Sequence, residues 1–400
     1  MKTIRATACA LLLYLCCVGA IPAQRIPEAE PAAVGMSRTQ LERLDQVMAE
    51  ALEKRAFPGA VIVVGREGKI VFRKAYGASQ WLPDLRPMRV DLVFDMASLT
   101  KPMATTTAIM LLLEQGRLRL WDKVSDFIPG FRSFRDEEGK KGEDIRIWHL
   151  LTHTSGLLPF LRNEEIEESL GIPCALTDMV SYIADLDKLF PAGEEFLYSD
   201  LDFIILGFIV ESVSGQTLAE FCRDHIFSPL KMEHTLFNPP ESLHARCVPT
   251  EVVDGELLRG VVHDPRARLL GGVAGHAGLF STADDLSVFA QMLLGGGEFG
   301  GVRILSPLSV ARMTEVYPHA AFAGRGLGWD LDSDFSTNSG DLFGPASFGH
   351  TGYTGTSLWV DPETRTFVIF LTNRVHPDDT GDVATWRSRV ANVVAASIRE

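Results

Sequence analysis

Four consecutive residues, Ser98-Leu99-Thr100-Lys101, combine a hydroxyl and an ammonium at a spacing suited to nucleophilic chemistry. On a helix, positions i and i+3 share a face, so the Lys101 side chain can reach the Ser98 hydroxyl. A serine is a weak nucleophile until a neighbour takes its proton. On a helix's first turn its oxygen also lies near the positive end of the helix dipole, which favours an alkoxide or oxyanion. The pattern recurs at Ser228-Pro229-Leu230-Lys231, but there it stands among turn residues and reads as coincidence. The first copy is set apart by Phe94-Asp95-Met96-Ala97 ahead of it and by the apolar run 103–113 behind it, a buried helix able to hold a nucleophile rigidly.

Two further places carry candidate chemistry. Tyr198-Ser199-Asp200 opens an apolar helix. A phenol becomes a useful base only where nearby cations favour phenolate, and Lys101 can supply that field. Taken alone, Tyr198 reads as a tyrosine capping a hydrophobic helix. His350-Thr351-Gly352 ends a strand and is followed by Tyr353-Thr354-Gly355-Thr356. Glycine beside a strand lets a substrate lie against the backbone, and an exposed edge can pair with a peptide-like ligand. Taken alone, this too is an ordinary glycine-rich turn.

Rival constellations are poorer. His149 and His153 stand four apart, as helical metal ligands do, but no Glu or third ligand follows and no metal is expected. The glycine-rich stretch 271–278 lacks both the Lys-Ser/Thr of a phosphate loop and the Gly-x-Gly-x-x-Gly spacing, so no nucleotide is expected. It reads as a cleft wall, with His276 a candidate substrate contact. No Gly-x-Ser-x-Gly occurs, which disfavours an α/β-hydrolase.

These residues need a frame. Ser37-x-x-Gln40 reads as a capping box before the helically spaced Leu41, Leu44, Val47, Met48 and Leu52. Runs 60–65 and 70–76 read as a hairpin joined by Arg66-Glu67-Gly68-Lys69. Residues 98–114 read as a helix stopped by Gly116. The stretch 118–320 reads as mostly helical, with a helix through 203–210 ending at Gly215 and another over 217–226. Ser281 and Thr282 both offer an N-cap for a helix reaching Leu294. Strands return at 347–351, 356–360 and 366–372, with Pro362-Glu363 turning the last pair, and a final helix covers about 382–399. With β-rich material at both ends, the expected fold class is α+β: an antiparallel β-sheet flanked by N- and C-terminal helices, with a large inserted helical domain. The sheet domain comprises 24–117 plus 321–400, the insert 118–320, and a cleft is expected between them.

Composition agrees with a globular enzyme rather than a nucleic-acid binder. The 400 residues are 46% hydrophobic and 22% charged, with 38 Lys+Arg against 52 Asp+Glu and a formal charge of −14. An acidic chain lacks the clustered basic surface that nucleic acid requires. No internal repeat is visible. Residues 1–23 carry a positive start, a short apolar stretch and small-residue cleavage options, the form of a secretory signal peptide. The apolar stretch is too short to span a bilayer, so an exported, periplasmic or extracellular protein with no stable membrane span after signal cleavage is expected. An uncleaved anchor is the alternative. Cys16 and Cys17 follow the bulky Tyr14 and Leu15, so lipidation is not expected. Removing the segment leaves Cys174, Cys222 and Cys247, enough for at most one disulfide, such as Cys222 with Cys247.

In combination, Ser98-x-x-Lys101, Tyr198-x-Asp200 and His350-Thr351-Gly352 resemble the serine β-lactamase/penicillin-binding-protein superfamily in order and broad spacing. LLTHTSGL (150–157), GEEFLYSDLDFIILGFIVESVSG (193–215), GHAGLFSTADDLSVFAQMLL (275–294) and GHTGYTGTSLWVDPE (349–363) look like the branch holding class C β-lactamases, D-alanyl-D-alanine carboxypeptidases and related esterases. The resemblance spans about 35–400 and implies a β-lactamase/transpeptidase-like fold with no metal or organic cofactor. It makes Ser98 the acylated nucleophile, with Lys101 and Tyr198 sharing general-base work and Tyr198 protonating the leaving group. The backbone N–H groups of Ser98 and Tyr353 would form the oxyanion hole. Asp200, His350, Thr351 and Gly352 would lie against the substrate.

Two departures from the family pattern bear on mechanism. His350 stands where lysine is frequent, and a histidine is only partly charged near neutrality. Asp200 stands where asparagine is common. A carboxylate there favours a charged Lys101, which makes Tyr198 the working base and Lys101 its electrostatic support. The implied partner is a small-molecule or peptide substrate: a cell-wall peptide (a peptidoglycan stem peptide ending in D-Ala-D-Ala) or a β-lactam amide. A carboxylesterase using the same residues and a non-catalytic penicillin-recognising or cell-wall-binding protein are the alternatives.

Overall fold

The computed structural model describes residues 26–333 and 335–399. The expected signal peptide, with Cys16 and Cys17, lies outside the described residues. The N-terminal hairpin forms as expected: β1 (Gly59–Arg66) and β2 (Lys69–Gln80) pair antiparallel. After them come β3 (Arg86–Pro87), β4 (Val93–Asp95), β5 (Leu236–Phe237), β6 (Leu279–Thr282), β7 (Phe348–Thr351), β8 (Ser357–Asp361) and β9 (Thr366–Thr372). The six-stranded sheet runs β7-β8-β9-β1-β2-β3. Its first long strand therefore pairs with its last, Val63 opposite Ile369.

The helices that position the site are α1 (Arg43–Glu53), α2 (Thr107–Glu114), α3 (Asp200–Ser214), α4 (Ala283–Leu294) and α5 (Ala384–Ala395). Every residue of β1 and β9 is buried, because both faces of the sheet are covered. Side chains alternate between the faces. Ile62, Val64 and Phe370 pack with Leu44 and Met48 of α1 and with Trp386 and Val390 of α5. Val61, Val63 and Ile369 face the larger core, which includes Leu286 and Phe289 of α4. Ser37 accepts the Gln40 N–H at 3.3 Å, but its own amide donates to Ser397 O at 2.7 Å. Only half of the expected capping box forms, and the other half ties the start of the fold to its end.

The single helix expected over 98–114 is corrected. Residues 98–114 are not one α-helix: a 3-10 turn at Ala97–Leu99 passes into a π-helical stretch, Lys101–Thr106, before α2 begins. Pro102 has no N–H to give to a regular helix, and its carbonyl accepts from the Thr107 hydroxyl at 2.9 Å. The region 118–320 also contains strands too short for periodicity to reveal. β4, β6 and β5 form a three-stranded sheet in the order β4-β6-β5, joining the segment that delivers Ser98 to the middle of the chain. The helix ending at Gly215 is present, with Gly215 at φ +77°, and Thr282, not Ser281, caps α4 by accepting from Asp285 N. Cys174, Cys222 and Cys247 are all free and buried, so Cys222 and Cys247 are not paired. Among the described residues no single helix is long and apolar enough to cross a membrane.

Candidate active site

β4 ends at Asp95, and the chain reverses through Ala97 at φ +47°, a left-handed conformation that costs a non-glycine residue roughly 1–2 kcal/mol. The Asp95 carboxylate holds this turn, accepting from Ala97 N at 2.8 Å and from His263 N at 2.7 Å. Ser98 is thereby placed at the start of the helical segment, half-buried on a cleft wall.

Behind it Lys101 is fully buried. Its ammonium donates to Ser98 Oγ at 2.9 Å, Asp200 Oδ1 at 2.8 Å and His276 O at 3.3 Å. Burial pushes this group down, but the charges of Asp200 and Tyr198 beside it prevail, and the net shift is upward. An ammonium with three committed protons and a raised pKa is poorly placed to act as a base. The Tyr198 ring lies 4.8 Å from Nζ, over the same charge.

Asp200 continues into a network. Arg266 reaches its second oxygen at 3.5 Å and Asp264 at 2.6 Å, and His276 Nε2 lies 2.9 Å from Asp264. Burial works against the Asp264 carboxylate, yet His276 and Arg266 hold it well below the usual range. Asp200, Asp264 and His276 could in principle gather a cation, with ligand atoms within 4.8 Å of one another, but Lys101 and Arg266 already meet their charge. His276 is thus part of this network and not of the cleft wall expected from its sequence setting.

Beneath Tyr198 lies a second buried group. The His153 ring is 4.4 Å from the Tyr198 ring, and its Nδ1 is 3.0 Å from Asp202 Oδ2. Nδ1 also accepts the Ser199 N–H at 3.2 Å, so the proton between the two side chains belongs to Asp202. Burial drives Asp202 well above and His153 well below their ordinary values, which makes both neutral. Such a raised carboxyl contributes its stability below an unfolded pKa near 3.9, and the contribution drains away as pH rises towards the folded value. Asp202→Asn supplies a fixed donor to His153 and keeps the acceptor for Ser155 Oγ. It is expected to raise the melting temperature over wild type, increasingly so towards pH 8, as read by thermal denaturation across pH 5–8. An equal midpoint at both ends would contradict a protonated Asp202.

Opposite Ser98, β7 carries His350, Thr351 and the Gly352 turn. His350 is buried, and its Nδ1–H donates to Thr351 O at 2.8 Å. Burial, then the Arg325 and Lys101 charges, push its pKa well below 6.5, so the ring is neutral and carries no part of a positive charge at pH 7. A Cβ on Gly352 would lie 2.2 Å from Thr356 Oγ1 and 2.4 Å from Met96 O, so only glycine lets this hairpin sit against the chain leading to Ser98. The cleft, about 250 Å³, is lined by Ser98, Tyr198, Arg325, Phe335, His350 and Tyr353, among others.

The structure therefore brings Ser98, Lys101, Tyr198, Asp200, His350, Thr351, Gly352 and Tyr353 together. It leaves the rivals apart. His149 Nδ1 accepts from Arg146 N at 2.9 Å, and burial drives its pKa to about 3, while His153 serves Asp202. Lys231 of the second Ser-x-x-Lys lies in a turn at φ +55°. Sequence reading missed Asp202 and three arginines near the cleft, Arg325, Arg374 and Arg387. Isolated arginines carry no motif; only the LLTHTSGL stretch pointed towards His153.

A half-buried serine on a helical turn, bonded to a buried lysine and faced by a tyrosine and a β-hairpin, defines a serine hydrolase site. The family model described as Beta-lactamase matches residues 44–392, and the chain belongs to that family. It is 31% identical over 392 residues to a protein of Escherichia coli (strain K12) named "Putative D-alanyl-D-alanine carboxypeptidase", covering 92% of this chain and 89% of that one. Among solved structures, EstCE1, described as a hydrolase with promiscuous acyltransferase activity, superposes with a TM-score of 0.72 at 25% identity, over 89% of this chain and 99% of that chain. The octameric penicillin-binding protein homologue from Pyrococcus abyssi shares the fold, with a TM-score of 0.68 at 24% identity over 89% and 77% of the two chains.

Proposed function

We propose that this protein is an exported hydrolase that forms an acyl-enzyme at Ser98 with a cell-wall peptide ending in D-Ala-D-Ala. The observation that carries the chemistry is the bonding of Lys101 Nζ to both Ser98 Oγ and Asp200, with Tyr198 over the same charge. The Ser98 oxygen bonds the acyl carbon as its proton passes to the Tyr198 phenol oxygen acting as general base, and the carbonyl electron pair moves onto oxygen. The Ser98 and Tyr353 amides receive that oxyanion. Collapse breaks the C–N bond, and Tyr198 returns the proton to the leaving amine. Water then hydrolyses the ester by the same route. The relatives named for D-Ala-D-Ala chemistry support the peptide as acyl donor. The reading of residues 1–23 as a signal peptide supports export to a periplasmic or extracellular site.

A second reading is favoured by His350. A neutral ring where a fixed cation is frequent in the family suits an uncharged acyl donor, and an esterase would use the same Ser98, Lys101 and Tyr198. A panel separates the readings: a D-Ala-D-Ala peptide, a chromogenic cephalosporin, a fluorescent penicillin and a short-chain p-nitrophenyl ester. The proposal expects release of D-alanine with the highest kcat/KM of the panel. Turnover of the ester alone would replace it with the second reading. Penicillin labelling without turnover of any substrate would leave a binding protein.

A further inference from the structure

Arg387 is an expensive residue for its place. It lies on α5, remote in sequence from every recognised motif, and is only 9% exposed. Among the described residues no carboxylate forms a close ion pair with it; Asp382 supports its charge only from a distance, and a buried cation so weakly compensated costs folding free energy. Burial, then the neighbouring Arg374 charge, lower its pKa to about 9.

In place of an ion pair, its Nη2 donates to two carbonyls, Gly352 O at 2.9 Å and Thr356 O at 2.8 Å. The Gly352 carbonyl and the Tyr353 N–H belong to one peptide plane and point in opposite directions. Fixing the oxygen against Arg387 therefore fixes the direction of the N–H. A hydrogen bond to the oxygen also polarises the unit and strengthens its N–H as a donor.

The next carbonyl is braced as well. Arg374 Nε donates to Tyr353 O at 2.8 Å, while its Nη1 is held by Asp379 at 2.7 Å. Two hydroxyls then tie the same hairpin to the chain that delivers the nucleophile: Thr354 Oγ1 to Asp95 O at 2.8 Å and Thr356 Oγ1 to Met96 O at 3.1 Å. Ser98 and Tyr353 face one cleft.

We propose that Arg387 is a positioning residue for the oxyanion site: by holding the Gly352 carbonyl it aims and polarises the Tyr353 amide that receives the oxyanion formed at Ser98. The inference rests on acylation of Ser98. It assigns Arg387 no contact with substrate.

The test compares full-length wild type with Arg387→Met, which removes the donors but keeps a long side chain, and Arg387→Lys, which keeps a charge and a single donor group. Two quantities are read: hydrolysis of a short-chain p-nitrophenyl ester, and the affinity of an alkyl boronate whose tetrahedral adduct on Ser98 places an oxygen in the oxyanion site. In Arg387→Met, kcat is expected to fall about tenfold to a hundredfold, short of the loss of a whole oxyanion donor, with KM little changed. Boronate affinity should fall in the same proportion, and Arg387→Lys should lie between. A merely structural role would lower the melting temperature and leave boronate affinity per folded molecule unchanged. Unchanged kcat or unchanged boronate affinity in a folded Met variant overturns the proposal. If Arg387→Met does not fold, the same comparison in Arg387→Lys decides. Wild type in which Ser98 is never acylated would instead overturn the hydrolase reading, and the Arg387 proposal with it.

Discussion

Replacing Ser98 with alanine is expected to end acyl-enzyme formation and to lower kcat by a factor on the order of 10⁴ to 10⁶, the scale seen when a covalent nucleophile is removed. The fold should survive, because Ser98 is half-buried and its hydroxyl's bond is to Lys101, which keeps Asp200 and His276 O as acceptors. The readout is intact mass after exposure to penicillin or to a p-nitrophenyl ester: wild type gains the acyl group, the variant does not. Ser228→Ala, in the second Ser-x-x-Lys, should label as wild type. An adduct that persists in Ser98→Ala would remove the mechanism altogether.

The second large effect concerns the base. Tyr198→Phe is expected to lower kcat/KM about 10²- to 10⁴-fold, the usual range for loss of a general base. Lys101 remains charged in that variant, since Asp200 still faces it at 2.8 Å. Near-wild-type turnover in Tyr198→Phe would make Lys101 the base. Asp200→Asn supplies the complementary measurement. Lys101 has a raised pKa because the Asp200 charge prevails over burial. Its deprotonation therefore belongs to the alkaline limb of the rate profile, and removing Asp200 should move that limb to lower pH by about one to three units. A stationary alkaline limb would mean that the Lys101 charge is not needed for catalysis.

Much of this site was legible because its parts are local. Ser98 and Lys101 are three residues apart, and their contact follows from the helical turn that joins them. The Thr282 cap, the Gly215 stop and the hairpin around Glu67-Gly68 are likewise set by side chains a few positions away. The illegible parts depend on distant burial. The neutrality of His350 comes from its enclosure and from Arg325 and Lys101, none of which shows in His-Thr-Gly itself. The proton on Asp202 follows from enclosure beside His153, 49 positions earlier in the chain. β4, β5 and β6 are too short to have a period, so their joining of two chain regions was hidden. Arg374 and Arg387 look in the sequence like any charged residues of a surface helix or loop, and only the fold turns them towards backbone carbonyls.

The pairing of β1 with β9 has a consequence in time as well as in space. A chain that leaves the ribosome N-terminus first presents Ser98 about 250 residues before β7, the wall that must face it, has been made. The central sheet cannot close until residues 366–372 arrive, and Arg387 comes later still. For those 250 residues Ser98 has no opposing wall. The site is thus assembled from segments far apart in the order of synthesis, with its facing wall and its Arg387 brace added after the nucleophile.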